Sequence, residues 1–134
     1  MECNRYFIRK PKILLVEDDY VVQLVHSKFL TSLGCEICLA QNAEEALSMY
    51  SDQYDLILLD IGLPDVSGLD ISVAIRNQAG TKHMPIIALT GFGDIIQKEC
   101  DKVGIDEIAI KPIPANELRK LLSRWLPELV KKPY

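Results

Sequence analysis

The stretch from residue 54 to residue 64 constrains the fold more than any other part of the chain. Four consecutive apolar residues, 56 to 59, run directly into the carboxylate of Asp60, and Gly62 and Pro64 follow within a few positions. An unbroken apolar run is typical of a strand covered on both faces, at the centre of a parallel sheet. Open α/β sheets hold their ligands at the carboxyl ends of such strands. Asp60 is therefore a candidate functional residue.

Apolar runs and helical patterns alternate along the rest of the chain. The sequence predicts strands at residues 12–16, 35–40, 55–60, 85–90 and 107–110. It predicts helices that end near residue 33, that follow Asn42, that span residues 67–78, that end near residue 103 and that span residues 114–126. This alternation is the signature of a parallel sheet with helices on both faces. We therefore expect one doubly wound α/β domain over residues 12–126, with residues 1–11 and 127–134 as linker or tail.

Local signals set the ends and faces of the first two helices. An apolar stripe in the first helix predicts its buried face, at Val22, Val25, Phe29 and Leu33, and His26 beside it reads as packed or half-exposed. Gly34 is a stop signal for this helix, as Gly104 is for the fourth. Asn42 and Glu45 have the spacing of a capping box. The buried face predicted for the second helix consists of Ala43, Ala46, Leu47 and Tyr50.

Composition excludes several classes of function. The chain has 134 residues, a net charge of −4 and a sequence pI near 5.1. An acidic balance argues against nucleic-acid binding, which depends on clustered Lys and Arg. No apolar run approaches the ~20 residues that a membrane span needs, and residues 1–10 lack the apolar core of a signal peptide. We therefore expect a cytoplasmic protein with no membrane segment and no direct nucleic-acid partner.

Cys35 and Cys38 match the CxxC spacing of metal and redox sites. Such sites need a knuckle or a helix N-terminus that brings both sulfurs together. Here the pair lies in a predicted strand, where a separation of three residues sends the side chains to opposite faces. We therefore expect Cys35 and Cys38, like Cys3 and Cys100, to be free thiols.

Polar residues follow four of the five predicted strands. Glu17 and Asp18 come after the first strand, Asp60 and Thr90 end the third and fourth, and Lys111 comes after the fifth. Because parallel strands end along one edge of the sheet, these groups should converge there. Scattered surface charge would not fall at four strand ends, so we expect a functional site.

Carboxylates without histidine or thiolate ligands favour a hard ion, Mg²⁺, with Mn²⁺ able to replace it. An ion of this kind, the Lys111 ammonium and the Thr90 hydroxyl together suit a phosphoryl group whose oxygens must be neutralised. Asp60 is then the natural nucleophile for an aspartyl phosphate.

Four segments resemble the receiver domain of bacterial response regulators. They are the segments at residues 13–19, 58–68, 87–90 and 110–112, which occur in the family's order and span about residues 12–126. The resemblance implies a flavodoxin-like fold with strand order 2-1-3-4-5. It also implies that the protein is no turnover enzyme, because receivers catalyse only their own phosphorylation and dephosphorylation.

The resemblance also assigns roles to individual residues. Asp60 would take a phosphoryl group from a phosphohistidine, and Asp18, Asp60 and the Gly62 carbonyl would bind Mg²⁺, with Glu17 acting through water. Lys111 would hold one phosphoryl oxygen and Thr90 would move to bond another. The family suggests a cis peptide bond between Lys111 and Pro112 as well. Where many receivers carry an aromatic residue three positions before the lysine, this chain has Ile108, which argues against a coupled threonine–aromatic rotation.

The amino-acid sequence of residues 54–71 is most similar to that of receivers of hybrid sensor histidine kinases. The expected partners are a histidine kinase, a histidine phosphotransfer domain or both, with Val21, Leu24 and Val25 as a candidate docking face. A homodimer that forms on phosphorylation is a further possible partner arrangement. The alternative functions are an aspartyl-phosphate phosphatase of the haloacid-dehalogenase type and a phosphorylation-independent binding module. The phosphatase would carry a second Asp where this chain has Gly62, and the binding module would have lost one or more site residues.

Overall fold

In a computed structural model, which describes residues 7–63, 66–78, 84–91 and 97–131, the strands form one parallel sheet. The strands are β1 (Lys12–Val16), β2 (Glu36–Ala40), β3 (Leu56–Asp60), β4 (Ile86–Thr90) and β5 (Glu107–Ile110), and their order in the sheet is β2-β1-β3-β4-β5. The sequence predicts each strand to within one residue at either end. The predicted doubly wound fold, with its strand order, is confirmed.

Helices cover both faces of this sheet. They are α1 (Tyr20–Ser32), α2 (Ala43–Met49), α3 (Gly68–Arg76), α4 (Gln97–Lys102) and α5 (Ala115–Trp125). One apolar cluster joins the sheet to α2, α3 and α4, and a second joins it to α1 and α5. Alternate residues of β1 and β3 enter alternate clusters, which is why these strands are apolar throughout. Ile96, which the sequence predicts within the fourth helix, lies outside the described residues.

The helix ends follow the predicted signals closely. Gly34 and Gly104 have φ angles of 97° and 85°, which favour glycine, and they end α1 and α4. The side chain of Asn42 accepts a hydrogen bond from the Glu45 N–H at 2.8 Å. The Glu45 carboxylate reaches the N–H of Gln41 instead of completing the capping box on Asn42. Leu47 is exposed, contrary to the predicted buried face of α2.

The buried face of α1 differs from the predicted apolar stripe. Its buried residues are Gln23, His26 and Leu30, whereas the predicted residues Val22, Val25, Phe29 and Leu33 are only partly buried. The helix is rotated so that two polar side chains point inward, where they find backbone partners described below. Apolar periodicity could not reveal this, because it assigns polar residues to the solvent.

The cysteines pack as the strand geometry requires. Cys35 lies in the cluster under α1 and α5, and Cys38 packs against the opposite cluster. Burial raises the pKa of the Cys35 thiol to about 12, which keeps it protonated and unreactive. Cys35, Cys38 and Cys100 are free thiols, as predicted, and Cys3 lies outside the described residues.

The described parts of the two expected tails are packed against the domain. Phe7 is 1% exposed, pairs with Val130 in an antiparallel bridge and joins the cluster under α1 and α5. A short 3-10 helix at Pro127–Leu129 adds Leu129 to the same cluster. Phe7, Leu129 and Val130 are therefore part of the packed structure, which the expectation of linker or tail did not include.

Within the described residues, no helix is both long and apolar enough to cross a membrane.

Candidate functional site

The polar residues predicted at the strand ends lie along one edge of the sheet. Glu17 directly follows β1, Asp60 and Thr90 are the last residues of β3 and β4, and Lys111 directly follows β5. The Glu17 N–H donates to the Ala40 carbonyl at 2.9 Å, and the Lys111 N–H donates to the Thr90 carbonyl at 2.9 Å. The sheet hydrogen bonding thus continues into the site, so the backbone beneath these side chains is held by the ladder.

Lys111 connects the two carboxylates on which the site is built. Its ammonium Nζ lies 2.9 Å from Asp60 Oδ2 and 3.2 Å from both oxygens of Glu17. Both carboxylates are buried, while the lysine keeps part of its side chain in solvent. Charge-assisted bonds of this length fix the positions of both partners. The peptide bond between Lys111 and Pro112 is cis.

A compact group of carboxylates completes this end of the sheet. One oxygen from each of Glu17, Asp18 and Asp60 lies within 4.8 Å of the others. Glu17 and Asp60 are buried and Asp18 is exposed, so the group is accessible from one side. Its donor set consists of carboxylate oxygens, which fits Mg²⁺ better than a softer metal.

Burial and charge act in opposite directions on the groups of this site. The pKa of Glu17 is raised to about 7: burial is the largest cause and the Asp60 charge adds to it, while the Asp19 N–H and Lys111 act against them. Burial lowers the pKa of Lys111, but the hydrogen bond and charge of Asp60, with those of Glu17, outweigh it and raise the pKa overall. The lysine therefore stays a cation, while Glu17 takes up a proton more readily than an ordinary carboxylate does.

The Asp60 carboxylate is oriented from two directions. The Gly62 N–H donates to Oδ1 at 2.8 Å, and Lys111 donates to Oδ2. Gly68, the first residue of α3, packs directly against the backbone of Asp60. Gly68 carries no role in the sequence prediction, although it stands in the motif on which the resemblance depends.

Two further residues of this region make backbone contacts that the sequence did not predict, although it placed His26 as packed or half-exposed. Gln23 Nε2 donates to the Glu17 carbonyl at 2.6 Å, and His26 Nε2 accepts from the Ile113 N–H at 2.9 Å. Both lie on the buried face of α1. The sequence holds little signal for these contacts, because α1 also contains Ser27, Lys28, Thr31 and Ser32, and the pattern does not separate the buried polar residues from the exposed ones.

Among curated proteins, the chain is similar to receivers that are parts of much larger proteins. It is 34% identical over 130 residues to the transcription factor SKN7 of Chaetomium thermophilum, covering 93% of this chain and 17% of that protein. It is 30% identical over 122 residues to hybrid signal transduction histidine kinase L of Dictyostelium discoideum, covering 85% of this chain and 7% of that protein. The chain thus spans only a small part of these relatives.

Solved structures match over nearly their whole length. The receiver domain of the sensor histidine kinase PA1611 from Pseudomonas aeruginosa PAO1, solved with a magnesium ion in its active-site cleft, has a TM-score of 0.80 and 34% identity, with 88% of this chain and 98% of that chain covered. The receiver domain of Ssk1 from Saccharomyces cerevisiae, crystallised with the histidine phosphotransfer protein Ypd1, belongs to a structure that matches with a TM-score of 0.77 and 26% identity, with 87% of this chain and 89% of that chain covered.

The fold and the edge of polar strand ends thus define a doubly wound α/β receiver of the CheY-like type. The family model described as the response regulator receiver domain matches residues 13–123. The chain belongs to this family, and it is the receiver domain of a two-component phosphorelay.

Proposed function

We propose that the protein accepts a phosphoryl group from a phosphohistidine onto Asp60 in a Mg²⁺-dependent reaction, and then signals through that group or passes it on. The observation that carries this proposal is the contact of Lys111 Nζ with both Glu17 and Asp60 beside the carboxylate group. A carboxylate, a cation and a metal-type donor set in one accessible place are what phosphoryl transfer needs.

Asp18, Asp60 and the carbonyl of Gly62 would hold the Mg²⁺ ion, with Glu17 acting through water. The ion would neutralise charge on the phosphoryl oxygens during transfer. The exposed carboxylate of Asp18 leaves this group open to solvent, as an ion that keeps several waters requires. Mn²⁺ has the same ligand preference and would replace it.

In the reaction, a carboxylate oxygen of Asp60 attacks the phosphorus as the P–N bond to the imidazole breaks. The new P–O bond converts the Asp60 carboxylate into an acyl phosphate. The imidazole leaves with the electron pair of the broken P–N bond. Lys111 holds an equatorial phosphoryl oxygen, and the hydroxyl of Thr90, at the end of β4, bonds another. Because two carboxylates already hold Lys111 at the site, little reorganisation is needed before transfer.

A phosphatase that turns over free phosphomonoesters is the less favoured alternative. It would need an acid–base side chain two residues beyond the nucleophile, where this chain has Gly62. The proposed protein therefore catalyses only its own phosphorylation and dephosphorylation.

The first prediction concerns the phosphoacceptor. A phosphodonor and Mg²⁺ should give a hydroxylamine-labile adduct of one phosphoryl per chain, and Asp60→Asn should abolish it, because an amide cannot form an acyl phosphate. Intact-mass measurement before and after hydroxylamine is the assay. Asp52→Asn, which alters an exposed carboxylate before the amino end of β3, opposite to Asp60, is the matched control and should retain the adduct. An adduct that survives Asp60→Asn would refute the assignment.

We propose further that a phosphohistidine-bearing domain docks on the start of α1. Val21 is 65% exposed and Leu24 is 49% exposed, beside the Glu17–Asp18 end of β1, while Val25 is partly buried. Exposed apolar groups next to a reaction centre favour a protein partner over solvent. A phosphorylation-dependent homodimer, a cytoplasmic location and the lack of direct nucleic-acid contacts stay predictions from the sequence.

The second prediction tests this docking face with two donors. Val21→Glu or Leu24→Glu should slow phosphorylation by a histidine phosphotransfer protein at least about tenfold, since a charge would be desolvated at the contact. Phosphorylation by acetyl phosphate should stay unchanged, because a small donor needs no docking face. Val73→Glu, at a 40% exposed valine of α3, is the control. Equal rates from the protein donor in all three variants would exclude this face.

A further inference from the structure

Helix α1 presents two buried polar side chains, less than one turn apart, to the backbone of two different strand ends. Gln23 donates to the carbonyl of Glu17, and His26 accepts from the N–H of Ile113. Glu17 follows β1, and Ile113 lies two residues beyond Lys111, which follows β5. The helix therefore holds the two backbone segments whose side chains meet in the Lys111–Glu17 ion pair.

The protonation state of His26 follows from its hydrogen bond. Its Nε2 accepts from a backbone N–H, so the imidazole is neutral and carries its proton on Nδ1. Burial, together with the positive charge of Lys111, lowers the pKa of His26 and favours the same neutral form. The ring is 0% exposed.

The other ring nitrogen indicates that this histidine is not there for packing alone. Nδ1 is buried and has no hydrogen-bond partner within the part of the chain that the structure describes. A leucine would fill such a position without the cost of burying a polar atom. Unlike leucine, the imidazole provides a hydrogen-bond acceptor, Nε2, for the Ile113 N–H.

We propose that His26 is a positioning residue for phosphoryl transfer, which fixes the backbone after Lys111 so that the ammonium stays between Glu17 and Asp60. His26 acts through Lys111 and touches neither the phosphoryl group nor a metal ion. This inference rests on the proposed function of Asp60 as phosphoacceptor. Gln23 plays the corresponding part for the Glu17 segment.

Removal of the acceptor should displace the lysine. Ile113 is itself buried, so its N–H would lose its partner in a place that water does not reach, and the segment would shift to satisfy it. A shift of about 1 Å in a catalytic group is enough to slow a reaction by a large factor. A displaced Lys111 would also repel Mg²⁺ less at the carboxylate group, because like charges near a site weaken cation binding.

These two effects have opposite signs, and that distinguishes positioning from a general loss of structure. The experiment compares His26→Met with His26→Gln in the full chain. The two side chains have equal length, and only glutamine places a strong acceptor near the former Nε2. The measurements are the rate constant of phosphorylation by acetyl phosphate at saturating Mg²⁺ and the dissociation constant of Mg²⁺ by calorimetry.

We expect His26→Met to lower the rate constant about tenfold or more, the effect of one lost hydrogen bond on Lys111 placement. Its Mg²⁺ affinity should be unchanged or higher. His26→Gln should recover the rate to within about threefold of the original protein. Ser72→Ala is the matched control, since Ser72 is also buried and bonds the backbone of another segment, at the Val103 carbonyl, and it should leave both constants unchanged.

The inference is overturned if His26→Met has the original rate, if methionine and glutamine slow it equally, or if rate and Mg²⁺ affinity fall together. If His26→Met does not fold, His26→Asn takes its place with the same expectations, because asparagine is too short to reach Ile113. Failure of the unmodified protein to take up phosphoryl would refute the proposed function itself. Uptake by the unmodified protein and by His26→Met at the same rate would refute only the role of His26.

Discussion

Gly68 is the residue at which the packing around Asp60 is tightest. A Cβ atom there would lie 2.6 Å from the Asp60 carbonyl oxygen and 2.6 Å from the Ile61 Cα. Both neighbours are backbone atoms, so they cannot rotate away as a side chain could. The missing side chain lets α3 begin directly against the strand end that carries the proposed phosphoacceptor.

The third prediction follows from this close approach. Gly68→Ala should lower the free energy of unfolding by about 1–3 kcal/mol, the usual cost of forcing extra atoms into a packed place. Urea unfolding measures the change. Gly91→Ala is the control, because among the described residues no atom beyond its chain neighbours lies within 4 Å of its added Cβ, and it should stay within about 0.5 kcal/mol. Equal free energies of unfolding for the two variants would show that the backbone at Asp60 and Ile61 shifts to accommodate the added Cβ at little energetic cost.

At the scale of elements, the ends of β1 and β3 place Glu17 and Asp60 together in a buried position. Burial favours the neutral form of Glu17, so its pKa in the folded protein, about 7, lies above the ordinary value of 4.5. A raised carboxyl pKa adds stability that is complete below pH 4.5 and is lost as the pH rises to about 7.

The fourth prediction compares the original protein with Glu17→Gln across this interval. The free energy of unfolding of the original protein, relative to that of Glu17→Gln, should fall by roughly 3 kcal/mol between about pH 4.5 and pH 7. This follows from the raised pKa of Glu17, because each pKa unit corresponds to about 1.36 kcal/mol. Urea unfolding at several pH values gives the difference, which removes contributions from all other groups. Parallel stability curves for the two proteins would contradict the shifted pKa.

Mg²⁺ provides an independent check on the same two strand ends. An ion bound at the carboxylate group favours ionised Glu17 and stabilises the folded state by mass action. Its stabilising effect should therefore be larger above pH 7 than at about pH 5. The dependence should be weaker in Glu17→Gln, which has no proton to release at this position.

At the scale of the whole molecule, the two ends of the described chain meet and close the cluster under α1 and α5. Phe7 bridges to Val130, and the Ile8 N–H donates to the Leu129 carbonyl at 2.8 Å. This contact connects segments from opposite ends of the sequence. It extends the core beyond the strands and helices of the family fold.

The fifth prediction uses two neighbouring residues in this contact. Phe7→Ala should lower the free energy of unfolding by about 3–5 kcal/mol, because it removes a large side chain that is 1% exposed. Ile8→Ala, at a side chain that is 62% exposed, should change it by less than about 0.5 kcal/mol. Thermal or urea unfolding distinguishes them. Similar small effects would mean that residues 7–11 add little to the core.

The sequence by itself determined the positions of the five strands and the strand ends that carry the site residues. It also determined that Cys35, Cys38 and Cys100 are free thiols. These depend on local signals: apolar runs long enough for a buried strand, glycine stops and the alternation of faces along a strand. The sequence also predicts that Glu17, Asp60 and Lys111 lie at one edge of the sheet. The carboxyl ends of parallel strands lie along the same edge, independent of the conformation of the loops.

Only the tertiary structure decided which face of α1 is buried, how the chain ends pack, and that Gly68 and His26 lie at the site. Each of these depends on a partner distant in sequence, such as the Ile113 N–H for His26 or Val130 for Phe7. Periodicity assigns a polar side chain to solvent, and only a backbone partner brought close by folding makes its burial favourable.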